Sequence, residues 1–337
     1  MVPIKSYTKG TSGHKELTLT LDPMAFIFNS VAMGDVIAAA PVIKYLLDNY
    51  YVTPESHYVV AQSYFRCLFP FVSGWNFREF EDKSQVLWGI PDNIPLALLN
   101  TKSDKRFIRN TPKMIHLSQY ASLKFGDCLI PMDQLNYVPL EKVDVSKFDV
   151  DFSKAVVLIT SYRDVTRRWP EEEIIKLAEW IKKAGYIPVF IGKTDMDSQL
   201  DTPEKKHLIP KSNLPDNASE YGVDLRNKTS IPELATIMGM SQAVCGVDSG
   251  PIHLAGTTDV PIICGYSTIL PQHRMPIRKK GKIYPLLPRM ECANCESKWR
   301  AVYWNFEKCF LQHADCCKDF TADRYIEKLK LILRGVK

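Results

Sequence analysis

The chain has 337 residues, 45% of them hydrophobic, 24% charged and 11% aromatic, and a formal net charge of +5. That length suits two domains with cores of their own, and no apolar run approaches the roughly 18 residues of a membrane span. The mild positive charge permits an acidic or phosphorylated partner without demanding one.

The opening stretch, "MVPIKSYTKGTSGHKELTLTLD", lacks the apolar core of a signal peptide, so a cytoplasmic protein is expected. "AFIFNS" (25–30) then reads as a short buried strand. "VAMGDVIAAAPVIKYLLDNY" reads as a loop opening into a helix, with apolar residues at helical spacing from Val36 to Leu47. Pro41 predicts a kink or a late start there. "HYVVAQ" (57–62) is the next strand, and strand, loop, helix, strand is the order of a βαβ unit with a parallel sheet.

From 63 to 150 the pattern is weaker. "TKSDKRFIRNTPK" sets Lys102, Lys105, Arg106, Arg109 and Lys113 against one Asp. It reads either as a solvated loop or as a patch facing an anionic acceptor. "VPLEKVDVSKFDVDFSK" (138–154) is polar and weakly patterned, a candidate linker.

From 155 the periodicity sharpens. "AVVLIT" is a buried strand, and "WPEEEIIKLAEWIKKAGY" is a helix. Pro170 stands at its start, three Glu in its first turn, Lys182 and Lys183 in its last, and Gly185 stops it. "IPVFIG" is a strand, "SIPELATIMGM" a short helix, "QAVCGV" a strand, "GPIHLAG" a further helix start and "VPIICGY" a strand. "DRYIEKLKLILRGVK" is an amphipathic basic helix expected to pack at the domain junction. Two α/β halves joined by a linker predict two doubly wound, Rossmann-like domains, with ligands outside the carboxyl ends of the strands and in the cleft between them. The expected division is 1–150, 151–290, a cysteine-rich segment 291–318 and a terminal helix 319–337.

Three constellations can carry chemistry. In "VDSGPIHLAG" a strand ends in Ser-Gly and opens a helix, whose N-terminus favours phosphate. Gly250 lets the backbone approach a ligand, and Pro251 suits the first turn. Ser249 can cap the helix or donate to a phosphate oxygen. Asp248 would repel a bare diphosphate, so a sugar or ribose hydroxyl suits it better, and His253 can orient Asp248 or touch phosphate. An ordinary cap with a packed His is the plainer alternative. "SVAMGDVIAAAP" likewise places Gly34 and Asp35 at a strand-to-helix junction, where Asp35 serves either as a cap or as a general base in the cleft. "TSYRDVTRRWP" (160–170) sets Arg163, Arg167 and Arg168 beside a helix start, where guanidinium groups suit a diphosphate, or are simply surface charge.

Together these pieces resemble glycosyltransferase family nine, the heptosyltransferases. The residues that carry the likeness are Gly34-Asp35, Arg168-Trp169-Pro170, "NKTSIPELATIMGMSQAVCGVDSGPIHLAG" and "VPIICGYSTILPQHRMP". The resemblance implies a GT-B fold and inverting sugar transfer from a nucleotide sugar such as an ADP-heptose. It implies Asp35 as the base, with Gly34 beside it. Ser161 and either Arg167 or Arg168 would bind the diphosphate, and Asp248, Ser249, Gly250 and His253 would form the donor-binding turn; Arg163 is a further donor-side candidate from its place in the basic stretch. No catalytic metal is implied, because these groups supply the positive charge. The family's Phe-Gly-Pro-Thr is "CGYSTILPQ" here, retaining Ser267 and Thr268 as donor-side residues. Lys105, Arg106 and Arg109 are candidates for the acceptor side.

Four of the nine cysteines (Cys67, Cys128, Cys245, Cys264) sit in apolar contexts as small buried side chains. The others crowd into "CANCESKWRAVYWNFEKCFLQHADCC". Cys292, Cys295, Cys309 and one of Cys316 and Cys317 could complete a four-sulfur site, for zinc before iron, or remain packed thiols. Autotransporter heptosyltransferases hold iron with a similar motif, which implies a structural site remote from the chemistry.

The acceptor is expected to be a hydroxyl of a lipopolysaccharide core or of a protein. A hydroxylated base in phage DNA, served by a donor such as a UDP-sugar, is the alternative, and the basic stretches 102–113 and 274–282 would suit either kind of anion. The rival from another class is a non-catalytic sugar-nucleotide or nucleic-acid binding protein. Oligomers are compatible with the sequence.

Overall fold

The computed structural model describes residues 5–8, 17–20, 24–28, 33–49, 57–72, 77–79, 96–99, 116–119, 121, 130–162, 165–193, 211–212, 214–295, 309 and 315–333. The chain divides into two units, Met1–Leu140 and Glu141–Lys337. The polar stretch 138–154 spans this division. It carries short helical turns at Ser146–Phe148 and Phe152–Lys154 and is tied to the second unit by Val143 N–H donating to Thr236 Oγ1 at 3.1 Å.

In the first unit β1 (Lys5–Thr8) and β2 (Leu17–Thr20) form an antiparallel pair in the stretch that reads as polar in the sequence. The main sheet is parallel, built from β3 (Met24–Phe28), β4 (His57–Ala61), β5 (Phe77–Glu79) and β6 (Leu96–Leu99) in the spatial order β5-β4-β3-β6. Its first strand lies inside, with later strands added on either side. Helix α1 (Met33–Asn49) follows β3, and its Gly34, Val36–Ile43 and Leu46 are buried. The helix begins at Met33 and runs through Pro41, so the expected late start is not observed. Phe28, Phe69 and Phe77 pack together, with ring centroids 5.3 and 5.8 Å apart along the series.

The second unit holds a six-stranded parallel sheet. Its members are β7 (Ala155–Ile159), β9 (Ile187–Ile191), β11 (Val223–Asp224), β12 (Ala243–Val247), β13 (Ile262–Gly265) and β14 (Ile283–Leu286). They lie in the order β11-β9-β7-β12-β13-β14. Counted within this sheet, that is 3-2-1-4-5-6, the dinucleotide-fold order whose ligand crevice opens where the order reverses. The reversal falls between β7 and β12. A small antiparallel pair, β8 (Ser161–Tyr162) with β10 (Lys211–Ser212), extends from the end of β7.

Local chemistry explains the helices of this unit. Helix α2 (Glu171–Lys183) has three Glu in its first turn and ends in a Schellman motif. There Tyr186 N–H reaches Ile181 O at 3.1 Å and Gly185 N–H reaches Lys182 O at 3.0 Å, with Gly185 in the left-handed region at φ 82°. Helix α3 (Ile231–Met240) starts in a capping box between Ser230 and Glu233. Helix α4 (Gly250–Ala255) follows β12, and α5 (Pro271–Arg274) follows β13.

The terminal helix α6 (Ala322–Ile332) packs on α2, within the core of the second unit. Trp169 stacks on Tyr325 with centroids 4.3 Å apart, and its indole N–H donates to Phe320 O at 2.8 Å. Glu173 accepts the backbone N–H of Ala322 at 2.5 Å, which closes the start of α6. No helix among the described residues is long and apolar enough to cross a membrane.

Candidate donor site at the sheet reversal

Asp248 stands one residue beyond β12, anchored by its N–H donating to Gly265 O at 2.9 Å. Its side chain is almost wholly buried. Arg167, from the turn Val165–Arg167 beyond β7, crosses the reversal point to meet it. Arg167 Nη1 lies 3.3 Å from Asp248 Oδ2 and donates to Asp248 O at 3.2 Å. On the other side His253 Nε2, one turn into α4, lies 3.8 Å from Asp248 Oδ1. Burial works against the charge on Asp248, yet the Arg167, Arg274 and His253 charges hold its carboxyl below the ordinary carboxylate range.

Ser249 takes the N-cap position of α4 in an extended conformation, and its side chain does not cap the helix. Its hydroxyl is buried without a hydrogen-bond partner among the described residues. Gly250 opens the helix beside it. Ser161 is buried at the start of β8, and Gly192 permits this, since a Cβ there would come 2.8 Å from the Ser161 Cβ. Arg168 is exposed, with its guanidinium 5.9 Å from the centre of the Tyr162 ring. Ser267 and Thr268 are buried just beyond β13.

The sequence-predicted residues thus fall into groups. Ser161, Arg167, Arg168, Asp248, Ser249, Gly250, His253, Ser267 and Thr268 gather at the carboxyl ends of β7, β12 and β13. Gly34 and Asp35 occupy the first turn of α1, beyond β3, the strand at which the first sheet reverses its order. Arg163, Lys105, Arg106, Arg109 and Cys128 lie outside the described residues. Arg274 was visible in the sequence only as part of a basic stretch, yet its charge acts on Asp248. The rest of that stretch lies elsewhere: exposed Lys279, Lys280 and Lys282 precede β14 at the opposite, amino edge of the sheet.

The cysteine segment does not lie remote from this site. The turn holding Cys292 and Cys295 is joined to the loop after β13 by Asn294 N–H donating to Ser267 O at 2.8 Å. The turn Asp315–Cys317 rests on Val165–Arg167. All the described cysteines are thiols. Cys245, Cys264, Cys316 and Cys317 are buried, while Cys67, Cys292, Cys295 and Cys309 are half-buried. No three His, Cys, Asp or Glu side chains among the described residues come together as a metal-binding group. Among the described residues the thiolate set suggested by the spacing is thus not gathered into a group that fits a metal.

Two doubly wound parallel sheets, one with an acid just beyond its reversing strand and the other with a buried acid and arginine at its reversal, define an α/β protein of the GT-B type. The chain belongs to glycosyltransferase family 9 (heptosyltransferase), whose model matches residues 108–301, more than half of its length.

Among curated proteins it is similar to lipooligosaccharide heptosyltransferase 2 of Haemophilus influenzae, 31% identical over 121 residues. That match spans 36% of this chain and about a third, 33%, of the relative. Solved structures of similar fold include a family 9 glycosyl transferase from Veillonella parvula, with a TM-score of 0.62 and 14% identity over 94% of this chain and 98% of that one. Another is the dodecameric iron-containing heptosyltransferase TibC of enterotoxigenic E. coli, solved with ADP-D-beta-D-heptose. In that complex the TM-score is 0.63, with 13% identity over 98% of this chain and 82% of TibC.

Proposed function

We propose that the protein is an inverting glycosyltransferase that moves a sugar from a nucleoside diphosphate donor of the ADP-heptose kind to an acceptor hydroxyl. The observation that carries this reading is the buried Asp248, held by Arg167 and His253 at the reversal of a dinucleotide-fold sheet beside a hydroxyl, Ser249, with no partner. The acceptor hydroxyl is that of a lipopolysaccharide core or of a protein, and the reaction takes place in the cytoplasm.

Family membership and the ADP-heptose bound to TibC support the donor class. In the reaction the acceptor oxygen bonds to the anomeric carbon as the bond from that carbon to the diphosphate oxygen breaks. The acceptor proton passes to Asp35, the position that resembles the family's base. The electron pair leaves on the diphosphate, whose charge is met by Arg168, the Ser249 hydroxyl and the field of Arg167. Asp248 keeps Arg167 fixed, and because Arg274 also acts on this one acid the arginines outnumber it, so the site presents positive potential to the leaving group. The donor therefore meets preorganised groups in a partly desolvated site, where they act more strongly than in water.

The test is nucleotide binding followed by turnover. A nucleoside diphosphate series at 100 times its dissociation constant should raise stability by roughly 2.7 kcal/mol, read as a thermal shift. Asp35→Ala should keep that shift and lose sugar transfer. If no nucleoside diphosphate or nucleotide sugar shifts the transition, the donor-site reading fails. Normal turnover by Asp35→Ala removes Asp35 as the base.

A further inference from the structure

Asn294 sits between Cys292 and Cys295 in a turn that the donor-site reading does not use. It is 5% exposed, its φ is 59°, and its carboxamide Oδ1 is buried with no hydrogen-bond partner among the described residues. Its backbone N–H donates to Ser267 O. Ser267 lies two residues past Gly265, whose carbonyl accepts the N–H of Asp248. The turn is thus laced through the loop after β13 to the end of β12, where the Ser249 hydroxyl is also buried and unpartnered.

We propose that Asn294 is a donor-site residue whose carboxamide oxygen accepts a hydrogen bond from a hydroxyl or amine of the bound nucleoside diphosphate sugar. This rests on the donor-site reading above. The left-handed conformation alone does not explain the residue. Glycine adopts φ 59° more easily and would bury no orphaned acceptor, whereas a buried carbonyl without a partner is costly. A ligand that donates to Oδ1 satisfies this group when the site is filled. The cysteine turn then forms part of the donor pocket and contributes to the choice of nucleotide.

Asn294→Gly tests the idea cleanly, because glycine keeps the turn and the N–H to Ser267 while deleting the carboxamide. The purified full chain is titrated calorimetrically with ADP, UDP and GDP, and melting temperatures are recorded alongside. The expected result is affinity for the preferred nucleotide weakened roughly tenfold, with the melting temperature of the ligand-free protein not lowered, since glycine suits the backbone and removes an orphaned acceptor. Asn294→Asp, close in shape and tolerant of the same backbone, provides a second variant. It should fold and also bind less tightly, because it places an anion beside an anionic ligand. Wild-type affinity in both variants overturns the proposal, as does a fall in affinity matched by a fall in the melting temperature of the ligand-free protein. Failure of the wild type to bind any of the three removes the donor site itself, a different and separable outcome.

Discussion

Arg167 grips Asp248 through both its side chain and its backbone, at 3.3 Å to the carboxylate and 3.2 Å to the carbonyl. Its neighbour Arg168 is exposed and faces the Tyr162 ring. Two adjacent arginines therefore have separable duties. Arg167→Ala strips a buried carboxylate of its nearest counter-charge and should cost about 3 kcal/mol in chemical denaturation. Arg168→Ala should change stability by less than about 0.5 kcal/mol while lowering kcat/KM for sugar transfer at least tenfold. Equal stability losses in the two variants would show that the division of labour is wrong.

The same pair should contribute to the acid limit of the fold. The folded carboxyl of Asp248 titrates below its unfolded value, so its contribution is complete above the ordinary aspartate pKa of about 3.9 and is lost as pH falls through the folded value. Asp248→Asn should flatten the stability profile below about pH 4. The variant should also be less stable at neutral pH, because Arg167 loses its partner. An unchanged acid limb would show that other carboxylates control it.

Much of this was legible in the sequence, and the reasons are local. Several elements of the second unit carry their own punctuation, such as the Ser230–Glu233 capping box or the run of Glu before Lys182 and Gly185. What escaped notice is tertiary. Strand β14 contains Pro285 and follows a lysine-rich turn, so nothing local marks it as a strand; pairing with β13 makes it one. Arg274 has no motif of its own and joins the site only because β13 delivers α5 beside Asp248. The closeness of the cysteine turn to Ser267 likewise depends on one backbone hydrogen bond between residues far apart in the chain.

The alkaline limit should come from the core beneath the site. Burial pushes up the pKa of Cys245, Cys264 and Tyr325, each of which stays neutral when folded. In the unfolded chain the thiols release protons near 9.0 and the phenol near 10.0. Their contribution is therefore full below pH 9.0 and declines as pH rises above it. Cys264→Ala should cost about 1 kcal/mol at neutral pH and make the decline shallower. A decline as steep as in the wild type would place its cause elsewhere.

Tyr325 also connects the terminal helix to the site. Its hydroxyl donates to Gly246 O at 2.8 Å, two residues before Asp248, while Phe320 fills the space above Gly265 so closely that a Cβ there would lie 2.8 Å from its ring. The helix and the turn before it thus press on β12 and β13, the strands that end at the proposed donor site. Gly265→Ala forces the aromatic ring or the strand to move and should cost about 1–3 kcal/mol. Phe320→Leu alone should also destabilise, by opening a cavity. In the double variant the smaller side chain makes room for the new methyl, so the combined loss should fall at least 0.5 kcal/mol short of the sum, as expected for residues in contact. Tyr325→Phe leaves the packing intact and removes only the hydroxyl, so it isolates the link to β12. It should weaken donor binding several-fold, because the hydroxyl holds β12 two residues before Asp248. Strict additivity in the cycle, together with wild-type donor affinity in Tyr325→Phe, would reduce the terminal helix to a passive cover.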